Sequence, residues 1–233
     1  MIDNPLIAFA AMPAVAYVIG STPFGVIIAR SHGVDLRRRG SGNVGATNVG
    51  RVLGARWGYL CFVLDVLKGV APVLAAGLLL RDPAEAVPPA PTQLAWLLVA
   101  CGAILGHVFS FWLKFRGGKG VATSLGVLMG FYPYFTWAGL AAFALWGLAV
   151  LIWRYVSLAS ILAAGAFPLL FVGACFLFGW PLRQACPLLA FASAMAVLVI
   201  IRHRTNITRL LAGNENRIGG KKMGRRDAEG AED

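Results

Sequence analysis

The feature that most constrains this chain is a series of long apolar runs, at roughly Leu6–Ala29, Trp57–Leu80, Leu94–Leu113, Tyr134–Trp153, Ser157–Phe178 and Pro187–Ile201. A helix that crosses a bilayer core needs about 20 consecutive apolar residues. A helix that is apolar all round needs lipid or a deep core as its solvent. Only 13% of the 233 residues are charged and the mean hydropathy is +0.72, whereas a soluble domain carries about 25% charged residues. The expected fold is all-α: a polytopic membrane helix bundle. A shorter run, Val121–Tyr132, reads either as a short span or as half of a re-entrant hairpin with the segment after Pro133.

Charge placement orders the loops. The net charge of +11 would suit a nucleic-acid partner, but the basic residues sit between the apolar runs, where they read as topology signals and phosphate contacts. Residues 30–56 hold Arg30, Arg37, Arg38, Arg39, Arg51 and Arg56 against Asp35; residues 114–120 hold Lys114, Arg116 and Lys119; the chain from Arg202 onward holds eight basic residues. Residues 81–93 are Pro-rich, with Arg81, Asp82 and Glu85. The positive-inside rule puts the three basic segments in the cytoplasm and the Pro-rich one outside. The N-terminus is then outside, the C-terminus cytoplasmic, and the number of crossings odd. Seven spans, with Val121–Tyr132 crossing, satisfy every loop; five plus a hairpin keep the same parity. The opening MIDNPLIAFAAMPAVAYVIG lacks a basic leader and reads as a retained span. Residues 1–220 form one integral membrane catalytic domain in this reading, and 221–233 a disordered charged tail. Cys61, Cys101, Cys175 and Cys186 make no CxxC pair and read as small buried hydrophobes.

Three polar stretches carry chemistry. GSGNVGATNVGR, Gly40 to Arg51, combines glycines that let backbone N–H groups approach a ligand with the donors Ser41, Asn43, Thr47 and Asn48 and the planar fork of Arg51. That set suits phosphate. Its Gly40, Gly42 and Gly45 spell a dinucleotide fingerprint, but no strand precedes them. GHVFSFWLKFRGGKGVAT, Gly106 to Thr123, places Gly117, Gly118, Lys119 and Gly120 before an apolar segment, an anion site at a helix start. It is no P-loop, because position 113 is Leu113. RHRTNITRLLAGNENRIGG, from Arg202, puts His203, Asn206 and Arg209 on one face of a helical continuation, and its Glu215 is expected to organise an arginine.

Two charges inside a span, Asp65 and Lys68, are read as a structural ion pair, and His107 as a helix–helix hydrogen bond. Ser157 and Ser160 are candidate donors at the start of another span. No metal-ligand cluster and no GxSxG elbow appear. No histidine is followed four residues later by aspartate, the usual acyltransferase dyad.

With STPFG, DVLKG and RYVSLAS added, these stretches resemble, in order and over most of the chain, the bacterial acyl-phosphate:glycerol-3-phosphate acyltransferase family (PlsY). Arg116 stands where a lysine is common. The resemblance implies seven membrane helices and transfer of an acyl chain from acyl phosphate to the 1-hydroxyl of glycerol 3-phosphate, giving lysophosphatidic acid and phosphate. It implies an acyl-phosphate site at Ser41, Gly42, Asn43, Gly45, Thr47 and Asn48. Glycerol 3-phosphate falls to Arg51, Gly117, Gly118, Lys119, Ser157, His203 and Asn206, with Arg51, Lys119, His203 and Asn206 as the catalytic set. No cofactor and no metal are expected. The expected partners are the two substrates, membrane lipid and a soluble enzyme that makes acyl phosphate, with no nucleic acid; the expected state is a monomer in the bacterial inner membrane. A phosphate or organic-anion transporter would use similar donors but needs a pathway from both faces.

Overall fold

In a computed structural model, residues 4–218 are described; the expected tail, 221–233, lies outside them. Every regular element among the described residues is a helix, and none of them is a strand. The first span, Ile7–Ser31, contains α1 (Met12–Ser21) and α2 (Phe24–Ser31), separated at Thr22–Pro23 because proline lacks a donor and disfavours helix in the residue before it. There follow α3 (Ala46–Leu53), α4 (Ala55–Leu80), α5 (Ala90–Val108), α6 (Val121–Gly130), α7 (Thr136–Trp153), α8 (Val156–Phe178), α9 (Leu182–Arg202) and α10 (Arg204–Leu211). Six helical segments are long and apolar enough to cross a membrane, and α6 is a shorter seventh. Leu78, Leu151, Leu169 and Leu177 are each at least three-quarters exposed, as lipid-facing side chains should be.

Glycines bring the helix backbones together. A Cβ on Gly102 or Gly106 of α5 would strike carbonyls of Pro13 or Tyr17 in α1, and one on Gly69 of α4 would strike that of Thr123 in α6. Such small-residue contacts replace the missing hydrophobic drive between helices in lipid.

The same contacts fix the depth of α6. Gly69 meets Thr123, Gly126 meets Val66, and Gly130 meets Val70 and Val73, so α6 runs parallel to α4 and starts beside its middle. Ten residues span about 15 Å, half of a ~30 Å hydrocarbon core. The chain leaves α6 where Arg81 Nη1 donates to Tyr132 O (2.8 Å) and Tyr134 Oη to Ala86 O (2.9 Å), at the Pro-rich face. Thus α6 covers only the half of α4 that leads to the Pro-rich face. The segment after Pro133 is α7, long and apolar enough to span by itself, so α6 fits the short-span alternative and not the hairpin.

The three basic segments meet at the opposite face. Arg37 Nη2 donates to Leu113 O and Arg116 O (3.3 and 3.2 Å), and Ile218 N to Arg154 O (2.8 Å). A small second core, including Leu36, Val44, Val49 and Leu113, seats the loop before α3 on this face. The main core joins α1 and α4–α9. Cys61 and Cys175 are buried as expected; Cys186 is exposed, so the small-hydrophobe reading fails for it, and none is paired.

Candidate active site

The loop before α3 is stiffened from within. Asn48, buried at the start of α3, accepts from Ser41 N (2.8 Å) and directs Nδ2 at the carbonyls of Asn43 (2.8 Å), Arg39 (3.1 Å) and Leu36 (3.3 Å). An amide has two N–H hydrogens, so Asn48 has none left for a ligand: it holds the loop. Asn43 Oδ1 accepts from Gly45 N (2.9 Å), which starts α3, and leaves its own amide nitrogen to donate. Gly40 and Gly42 take left-handed φ of 59° and 71°; at Gly40 a side chain would also collide with Asn48 Oδ1. Thr47 and Arg51 stand one turn apart on α3, exposed, as is Ser41.

The glycine turn is held just as firmly. Gly117 N donates to Val108 O and Gly118 N to His107 O (both 3.1 Å), which caps the end of α5. These two N–H groups are therefore engaged within the fold. Glycine is required for room: a Cβ on Gly117 would meet the His107 carbonyl, and one on Gly118 the His107 imidazole. From the other side Arg202 Nη2 donates to Gly118 O (3.2 Å). Gly120, with φ of 83°, starts α6.

Lys119 leaves this turn toward α10. Its Nζ donates to Asn206 Oδ1 (2.5 Å). Asn206 Nδ2 (2.7 Å) and Ser157 Oγ (2.9 Å) both donate to Glu215 Oε1, and Arg209 Nε donates to Glu215 Oε2 (2.9 Å). Burial pushes the Lys119 ammonium down to about 8; Glu215 opposes the shift, while Arg209, Arg51 and Arg202 add to it. Glu215 is held low against burial by its bonds to Arg209, Asn206 and Ser157. One carboxylate thus stands among four cationic side chains, a balance that favours an incoming anion.

His203, at the break between α9 and α10, is 2% exposed, and its Nδ1 lies 2.8 Å from Val199 O. A carbonyl only accepts, so Nδ1 carries the proton and Nε2 is an acceptor. Burial pushes its pKa down to about 4, so the ring is neutral at pH 7.

Behind the glycine turn lies a second polar cluster. Lys68 Nζ is 2.6 Å from Asp65 Oδ1 and donates to Thr22 O (2.9 Å) at the α1–α2 break. His107 Nδ1 stands 3.7 Å from the same aspartate oxygen. The ion pair expected from sequence is present. The histidine–aspartate contact is new: it is made across α4 and α5, so a four-residue spacing rule does not detect it. Its Nε2 abuts Gly118, on the far side of the turn from Lys119's partner.

A cavity of about 110 Å³ opens beside these residues, lined almost wholly by apolar side chains, most of them from α6–α9, with Phe62 of α4 and Ile104 of α5. Val121, Ser160 and Val199 border its end near Lys119, Ser157 and His203.

Sequence reasoning placed Lys119, Ser157, His203 and Asn206 in one site, and the fold brings their elements together. The expectation that Glu215 organises an arginine is met by Arg209; what was missed is that Ser157 and Asn206 share the same carboxylate, and that Arg202 clamps the turn.

The chain matches the model of the family described as glycerol-3-phosphate acyltransferase over residues 10–213. A glycerol-3-phosphate acyltransferase of Geobacter sulfurreducens is 45% identical over 208 residues, 89% of this chain and 96% of that one. One of Nitrobacter winogradskyi is 46% identical over 228 residues, 95% of this chain and 100% of that one. The crystal structure of PlsY (YgiH), an integral membrane glycerol 3-phosphate acyltransferase, in its glycerol 3-phosphate form, superposes with a TM-score of 0.75 at 40% identity, covering 90% of this chain and 94% of that one. A second crystal structure, the lysophosphatidic acid form, gives 0.73 at 39% over the same shares. With two phosphate-suited loops beside an apolar cavity in a membrane bundle, this chain belongs to the glycerol-3-phosphate acyltransferase family.

Proposed function

We propose that this membrane enzyme moves an acyl chain from acyl phosphate to the 1-hydroxyl of glycerol 3-phosphate, releasing lysophosphatidic acid and inorganic phosphate. The observation that carries the reading is the excess of positive charge around Glu215 beside an apolar cavity. Both substrates bring a phosphate, and one also brings a hydrocarbon tail. Ser41, Gly42, Asn43, Gly45 and Thr47 hold the acyl phosphate on a loop that Asn48 keeps in shape. Arg51, Lys119, Ser157, Asn206 and His203 hold glycerol 3-phosphate, and Gly117 and Gly118 fix the turn that presents Lys119. The acyl chain lies in the cavity.

The hydroxyl oxygen attacks the acyl carbonyl carbon. The new ester bond forms as the bond from that carbon to the phosphate oxygen breaks, and the electron pair leaves with phosphate. The hydroxyl proton passes to a phosphate oxygen of the substrate. A neutral His203 with a pKa near 4 is a weak base at pH 7; its Nε2 orients the hydroxyl. His107 has Gly118 in front of its Nε2, so the buried histidine–aspartate pair supports the turn. Arg51 and Lys119 neutralise the charge that develops on the leaving phosphate.

The basic face is the cytoplasmic side of the bacterial inner membrane, with the N-terminus outside. The acyl phosphate comes from a soluble enzyme on that side.

The test is product formation by the purified chain with acyl phosphate, acyl-CoA or acyl-carrier protein as donor. Turnover with acyl phosphate alone is expected; turnover only with a thioester donor overturns the donor assignment. Uptake of labelled glycerol 3-phosphate by sealed proteoliposomes without product would make the chain a transporter. A cysteine label at Arg217 should react only from the cytoplasmic side; reaction from outside reverses the orientation.

A further inference from the structure

In the cavity that receives the acyl chain in the reading above, the lining residues farthest from the site along α8 and α9 are the aromatic rings of Phe167 and Phe191. Along α8 the lining runs Ser160, Ala163, Phe167, one face at helical spacing, and on α9 it runs from Val199 to Phe191. Phe167 and Phe191 are 5% and 8% exposed. Behind them sits Phe135, fully buried, with its ring centroid 5.3 Å from that of Phe167 in an edge-to-face contact and 6.2 Å from that of Phe191. Phe171 and Phe131 back Phe135 at 5.0 Å each. Rings locked into one another in this way make a floor that does not yield cheaply, because interiors are close-packed and inserted methylenes force side chains off their rotamers.

The depth has a meaning. From Ser157, at the site, to Phe167 is ten residues of α8, about 15 Å of helix rise. Half of a ~30 Å hydrocarbon core, the reach of one lipid acyl chain, is the same length. An acyl chain whose carboxyl carbon is held at the site therefore meets the rings at about its terminal methyl.

We propose that Phe167, supported by Phe135 and Phe191, is a chain-length determinant: it sets the upper limit on the acyl chain the enzyme accepts, at about the length of a membrane-lipid chain. This rests on the acyl chain occupying the cavity. It makes Phe167 a specificity residue remote from the bond that breaks. Ala163, one turn nearer the site, sets the opposite test: a larger side chain there shortens the cavity.

The experiment uses the full chain in lipid nanodiscs with two series of graded saturated chain length: lysophosphatidic acids for binding and acyl phosphates for kcat/KM. Phe167→Ala should raise the long-to-short ratio roughly tenfold in both series, the scale of one misfitted methylene in an apolar pocket. Ala163→Phe should lower it by a similar factor, with KM for glycerol 3-phosphate unchanged in each. If Phe167→Ala does not fold, Phe167→Leu and Ala163→Phe carry the comparison. Ratios that stay flat in folded variants, or no lysophosphatidic acid binding to the unmodified chain, overturn the proposal. Failure of the donor assignment looks different: no product from any acyl phosphate, while the binding series still responds to Phe167.

Discussion

Two polar clusters flank the glycine turn, built from similar residue types and put to different use. Asp65, Lys68 and His107 form the first, with the Asp65 and Lys68 side chains 3% exposed and the ammonium satisfied by a carboxylate and by Thr22 O. Lys119, Asn206, Arg209, Ser157 and Glu215 form the second, where one acid faces an excess of bases and the cations are half-open. The first has no unmatched charge to offer and can only hold structure. The second keeps positive charge in reserve, and holding it there is costly until an anion arrives. What separates a brace from a site here is the balance of charge and the access to it.

The largest expected effect breaks the first cluster. Asp65→Ala leaves Lys68 as an uncompensated buried charge, a loss of about 3–5 kcal/mol, read as a fall in Tm in detergent or nanodiscs. Asp65→Leu with Lys68→Met removes both charges at once. Stability and turnover should then largely return if the pair is a brace. A stable double variant without turnover would move this cluster into the chemistry and erase the contrast.

The second cluster and its neighbour Arg51 should respond in rate. If the proposed site is right, Arg51→Ala removes a bidentate charge at the substrate phosphates, and kcat at saturating substrate should drop by roughly 10²–10³, the scale of losing one transition-state donor. Arg51→Lys should restore little, since an ammonium lacks the planar fork. His203→Ala should lose affinity that added glycerol 3-phosphate partly recovers. If His203→Ala abolished turnover while Arg51→Ala kept it, His203 would be the base and the proton would not go to phosphate.

Where the two clusters touch, at Gly118, the effect is smaller. A methyl there runs into the His107 imidazole, an overpacking cost of about 1–3 kcal/mol. Gly118→Ala should lower Tm and kcat together, and His107→Ala in the same chain should recover part of both by making room. Lack of recovery would show that the methyl offends something on the substrate side of the turn.

The sequence exposed the two clusters unequally. Bundle, span positions and basic face were legible because apolar runs and Lys/Arg counts are local signals. The Asp65–Lys68 pair was legible too, since charges three apart share a helix face. Donors engaged within the fold were not: Asn48, Gly117 and Gly118 look like phosphate ligands in one dimension, and only the fold shows their hydrogens already committed to Leu36, Arg39, Asn43, Val108 and His107. The half-length of α6 was ambiguous for the same reason, because where α6 starts along α4 is set by contacts between the two helices.

The smallest expected effect reads the reserve charge itself. With the Lys119 pKa pushed down to about 8, against an ordinary 10.5, the folded apo chain releases this proton more readily than the unfolded chain does. Between about pH 8 and 10.5 the unfolded state binds more protons, so this group's contribution to stability rises with pH there. Substrate binding has the opposite sign. A phosphate beside Lys119 favours the ammonium and pulls its pKa back up, so binding takes up a proton once the pH exceeds about 8. Affinity for glycerol 3-phosphate should therefore be level below pH 8 and weaken above it, by at most about tenfold per unit, the slope of one linked proton. Lys119→Arg should remove the break, because a guanidinium stays charged across this range, even if its shape lowers affinity throughout. A KM profile that bends at pH 8 equally in the native chain and in Lys119→Arg would take the reserve charge away from Lys119 and assign it to another group in the site.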